Sequence, residues 1–138
     1  MRRVLMVAVL AFVAAGCGER RATYDRDEVV DAFKRHGYTL GSGYTFGPPR
    51  GSAAAHDGDL LAPRGGAEFI VLVISDAAAD DAWHVYESQP TFHSFDARRA
   101  NVVVISDSGL RLIQRRRVLD ALSSLPARGA AVMIAGRK

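Results

Sequence analysis

Four sets of residues in this 138-residue chain carry side chains able to do chemistry. Cys17, the only cysteine, could be a nucleophile or a soft metal ligand once ionised. In AHDGDLL, His56, Asp57 and Asp59 bring an imidazole and two carboxylates within four positions, the donor types of a metal site. Asp76 and Asp107 each close an apolar run ending in Ser-Asp, as phosphotransfer and metal sites present a carboxylate at a strand end. Arg111, Arg115, Arg116 and Arg117 gather guanidinium groups suited to anions.

Spacing weakens most of these. The His56 cluster lacks further acids at alternate positions and a closing Glu, so it is no calcium loop. It reads as a polar turn. Asp76 and Asp107 would lie together only if their strands ran parallel, and neither SDAAADD nor SDSGLRL adds the partners of a phosphotransfer site. Helix capping accounts for Ser75, Asp76, Ser106 and Asp107. His84 and His93 stand nine positions apart, without the i, i+4 pair of a helical zinc site. No G-x-S-x-G elbow is present. The Arg run reads as a solvated helix face, or as a contact for anionic lipid or an acidic partner.

Cys17 is explained by what precedes it. Arg2 and Arg3 are followed by the uncharged apolar stretch Val4 to Ala15 and then by Gly16. Positive start, apolar middle and small-residue end make a secretory signal peptide. As a helix the apolar stretch rises about 18 Å, short of a hydrocarbon core of roughly 30 Å. AAGC resembles the lipobox of bacterial lipoproteins, with Ala14 where that family prefers Leu. The resemblance implies a diacylglyceryl group on the Cys17 thiol and cleavage just before it. An exported chain with no other cysteine avoids a stray thiol in an oxidising compartment. Cleavage would remove two of the 18 basic residues and none of the 15 acidic ones, leaving a net charge near +1. The pI of 9.4 is then poor evidence for nucleic-acid binding.

The remaining elements follow from local signals. Residues 17–24 form a lipidated Cys and tether, spanning at most about 24 Å. Asp25 and Glu28 make a capping box, with Tyr24 and Val29 as its hydrophobic staple, opening a helix that Gly37 ends. Val29, Val30 and Phe33 are its buried stripe, and His36 belongs to its C-terminal charge pattern. Tyr38 to Phe46 reads as a strand, and 47–66, rich in Gly, Pro and Ala, as a long loop. EFIVLVISD and NVVVISD read as central or doubly buried strands. Ala79, Ala82, Trp83 and Tyr86 mark the helix after the first. Leu112, Leu119, Leu122 and Leu125 mark the helix after the second, stopped by Pro126 and Gly129. Thr91 to Asp96 should pair with 101–106 as an antiparallel hairpin turning at 98–101. The tail AAVMIAGRK is an edge strand or is disordered.

The expected fold is α+β: a two-layer sandwich of a mostly antiparallel sheet with about three helices on one face, over residues 25–126. It is preceded by the 1–16 signal peptide and followed by the 127–138 tail. DEVVDAF, VLVISD with its AW-containing helix, and FDARRANVVVISDSGL resemble small single-domain lipoproteins of unknown function from high-GC bacteria. No activity comes with that resemblance. It implies a protein on the extracytoplasmic face of the cell membrane; the first expectation for its domain is a non-enzymatic one that binds an envelope partner or ligand through its sheet edge or the 47–66 loop. No cofactor or nucleic acid is expected. The rival expectation is a metal-dependent envelope enzyme or accessory factor using His56, Asp57, Asp76 or Asp107.

Overall fold

The computed structural model describes residues 23–42, 58–66, 68–88, 95–106 and 110–135. Helix α1 (Arg26–Arg35) begins as its sequence requires. The Asp25 carboxylate accepts from the Glu28 amide at 2.9 Å, and Glu28 Oε2 accepts from the Asp25 amide at 3.0 Å. This reciprocal box satisfies two of the amides a helix start leaves unpaired. Gly37, at φ 88°, carries the chain out of the helix. Then come β1 (Leu40–Ser42), β2 (Asp59–Pro63), β3 (Ile70–Val73), α2 (Asp76–Ser88), β4 (Phe95–Arg99), β5 (Val102–Ser106), α3 (Leu112–Ser123) and β6 (Val132–Ile134).

The six strands form one sheet in the order β1-β2-β3-β5-β4-β6, with every neighbouring pair antiparallel. The α+β class, with an antiparallel sheet and three helices, is the expected one. The layering differs from the expectation. Helices α1 and α3 pack on one face against Leu61, Val71, Val73, Ala97, Val102 and Val104. Helix α2 covers the other face, its Ala78, Ala79, Ala82 and Trp83 meeting Ile70, Leu72, Val103 and Ile105. Both faces of β3 and β5 are therefore buried, and their residues alternate between two cores instead of between core and water. Each fully buried Phe, Leu or Ile in these cores contributes roughly 1.5–3 kcal/mol from removal of apolar surface from water.

Two local readings are corrected, and the tail, left open between edge strand and disorder, is decided. The expected 47–66 loop contains β2, which bridges β1 and β3 through Leu40↔Pro63 and Asp59↔Val73. Gly58 just ahead of it has φ 84°, and a Cβ there would lie 2.1 Å from the Val73 carbonyl oxygen. Only glycine admits that approach. The hairpin exists: its first strand is described over Phe95–Arg99, so it runs three residues past Asp96, and the turn is Ala100-Asn101; residues 91–94 lie outside the described residues. Ala100 takes a positive φ of 50°, as a two-residue hairpin turn demands of its first residue. The tail supplies β6, so residues 132–134 complete the sheet beside β4.

Candidate functional site

Among the described residues, those singled out as acids or metal ligands do not assemble into one site. Cys17, His56, Asp57, His93 and Asp107 lie outside the described residues. Asp59 is half-buried on β2, paired with Val73. Asp76 is the first residue of α2 instead of its cap; the Ser75 hydroxyl takes that role, accepting from the Ala78 amide at 3.2 Å. Ser106 does not cap α3. It is buried, and its hydroxyl donates to the Phe95 carbonyl at 3.0 Å, closing the hairpin. Because β3 and β5 are antiparallel, with Val73 opposite Val102 and Ile70 opposite Ile105, they end at opposite ends of the sheet. That removes the parallel pairing needed to bring the carboxylates after them together. His84 is exposed on α2. Among the described residues, no three His, Cys, Asp or Glu side chains gather as a metal site.

The structure instead concentrates polar groups on β4, whose five residues are all buried. Arg99 faces α3. Its Nη1 lies 2.7, 3.0 and 2.9 Å from the carbonyls of Leu122, Ser123 and Leu125, sharing its hydrogens among them, and Nε donates to Ala130 at 3.0 Å. A cation is thus fixed at the negative end of α3, where the last carbonyls need donors. Arg98 points to the opposite face and meets Asp80 of α2 at 2.7 Å. Its Nε also donates to Ala100, holding the turn.

Asp96 shares the α2 face with Arg98 by strand alternation. It is 5% exposed, and its Oδ1 has no hydrogen-bond partner. Burial pushes its carboxyl up to about 7, because the charged form loses its hydration without a compensating cation. Perturbed carboxyls of this kind mark functional sites and structural compromises alike. The other conspicuous titrating group, Tyr38, lies on the far face against Phe33 and Phe69, and burial raises its hydroxyl. The two cannot act on one ligand.

In the hairpin turn, Asn101 clamps Tyr24, just ahead of α1. Its Oδ1 accepts from the Tyr24 amide at 2.7 Å, and its Nδ2 donates to the carbonyls of Tyr24 and Ile74 at 2.8 and 3.0 Å. Tyr24 also donates through its hydroxyl to Pro126 at 2.7 Å, and the Arg99 and Arg128 guanidiniums lie 5.5 and 5.2 Å from its ring centre. Arg128 completes the junction by binding Glu28 and the Thr23 carbonyl. Sequence reading found the Tyr24 staple but not Asn101, whose partners are 77 and 27 positions away.

Two surface features remain. The first turn of α3 exposes Leu112 (83%) and Ile113 (57%) beside the exposed Arg111, Arg116 and Arg117. The outer strand β6 exposes Met133 and Ile134. Among the described residues, no helix is long and apolar enough to cross a membrane. No family model, no curated protein and no solved structure matches this chain.

Proposed function

We propose that this chain is a bacterial envelope lipoprotein, held at the extracytoplasmic face of the cell membrane by a diacylglyceryl group on Cys17. Its α+β domain binds an envelope partner or ligand and catalyses no reaction. The observation that carries this reading is the order Arg2-Arg3, twelve apolar residues, small residues and Cys17, in a chain with no second cysteine. The clamp on Tyr24 supports it: it fixes the chain to the domain seven residues after Cys17, so an anchor on Cys17 would hold the domain close to the membrane. Among the described residues β1 and β6 are the outer strands of the sheet, and this supports the binding role, since an edge strand can offer backbone groups to another chain.

Cys17→Ala tests the anchor. The variant should accumulate as an uncleaved precursor without lipid, while the wild type gives a mass matching an acylated N-terminal Cys17. An unmodified Cys17, or cleavage elsewhere, would refute it. The non-enzymatic role is tested by melting the purified mature protein with and without divalent cations. A stabilisation of several degrees that disappears in His56→Ala would replace this reading with the metal-dependent one.

A further inference from the structure

We infer that the basic, apolar tip of α3 is a second membrane contact, which lays the domain against an anionic lipid surface. The inference rests on the lipid-anchor reading and adds an orientation to it. Leu112 and Ile113 are two of the four large hydrophobic side chains most exposed among the described residues, and they are adjacent. Arg111, Arg116 and Arg117 are exposed around them. The first turn of α3 holds no acid, and Asp120 is the helix's only carboxylate. The nearby Glu68 is engaged by the Gln114 amide. Long apolar side chains ringed by guanidiniums match the boundary between acyl chains and anionic headgroups. The buried side of the helix, Val118, Ala121 and Leu122, already belongs to the core, so the tip is surplus to folding.

The reach of the chain agrees. Residues 23–24 lie beside the opposite end of α3, where Tyr24 bonds to Pro126 and Thr23 to Arg128. Helix α3 has 12 residues and is about 18 Å long. The six steps from Cys17 to Thr23 extend to about 20 Å at most. A domain lying with α3 along the surface can therefore place its anchor and its tip in the same leaflet.

The test uses the mature protein purified from membranes and reconstituted into vesicles. A nitroxide is attached at Ile113→Cys, or at His84→Cys on the exposed side of α2 as the reference. Accessibility to a water-soluble nickel relaxant is then read by electron paramagnetic resonance. On vesicles of equal phosphatidylglycerol and phosphatidylcholine, the label at 113 should be several-fold less accessible than the label at 84. The protection should vanish on pure phosphatidylcholine and in Arg111→Glu/Arg116→Glu, with Trp83 fluorescence unchanged as the check on folding. Equal accessibility at both positions on the anionic vesicles would overturn the inference. So would protection indifferent to lipid charge, or protection that persists in detergent and grows with protein concentration, which would assign the tip to a second copy. The intact mass of the same sample separates the two claims. An unacylated Cys17 would take up a second nitroxide and defeat the anchor reading, whatever position 113 reports.

Discussion

Asp96→Asn should stabilise this protein near neutral pH, and the size of the effect follows from the carboxyl's position. The folded-state value of about 7 stands well above the ordinary 3.8. Below pH 4 both folded and unfolded chains hold the proton, and Asp96 costs nothing through ionisation. Between pH 4 and 7 the unfolded chain releases the proton and the folded chain keeps it, so stability falls as pH rises. Above pH 7 both are ionised and the loss is complete. At 1.36 kcal/mol per unit, the full loss is about 4 kcal/mol. Asparagine has the same shape and no charge to desolvate. Urea unfolding followed through Trp83, the sole tryptophan and 4% exposed, would report both proteins from pH 4.5 to 8. The variant's advantage should grow across that range towards about 4 kcal/mol and then level off. Glu28 acts with the opposite sign: its hydrogen bond from Arg128 holds it below the usual carboxylate range, and its contribution is lost as pH falls. Subtracting one curve from the other removes Glu28, since both proteins carry it. A difference that stays flat from pH 4.5 to 8, or an Asn variant that is the less stable at pH 8, would refute the argument.

Arg99→Ala should cost about 3 kcal/mol in the same unfolding assay, since it strips four carbonyls of their donor and α3 of its C-terminal cation. Arg99→Lys should recover only part of this, because one ammonium cannot reach both Leu122 and Ala130 as the fork does. Gly58→Ala should lower stability by at least about 2 kcal/mol, because it combines a left-handed backbone with a collision at the Val73 carbonyl. A melting temperature within a degree of wild type would show that β2 does not need that approach.

What sequence reading captured, and what it missed, divides by the range of the interaction. Helix α1 was legible down to its capping box because every partner lies within five positions. The antiparallel hairpin was legible, but its turn, read as 98–101, is only Ala100-Asn101, because Arg98 and Arg99 stay in the ladder opposite Val103 and Val102. Strand β2 escaped because DLLAP is short, follows Gly58 and ends in Pro63; its strand character comes from β1 and β3 on either side. The position of α2 was recoverable. The unbroken apolar run Phe69 to Ile74 demands cover on both faces, which helices on one side cannot give. Sequence reading ends the strand at Asp96 and puts Arg98 in the turn, so neither is marked as buried. Their burial on the α2 face is a tertiary fact, and the Asp80 partner of Arg98 gives no local sign of itself.

The Asn101 clamp has a mechanical consequence. A pull on the chain ahead of Thr23 does not peel α1 from the sheet, because the load leaves the chain at Tyr24 before the helix begins. It passes through Asn101 to the turn between the two central hairpin strands, through the Tyr24 hydroxyl to the end of α3, and through Arg128 to Glu28. These paths act in parallel, so the load is shared among several hydrogen bonds. Tension entering through Thr23 therefore meets a cross-linked junction before it reaches α1.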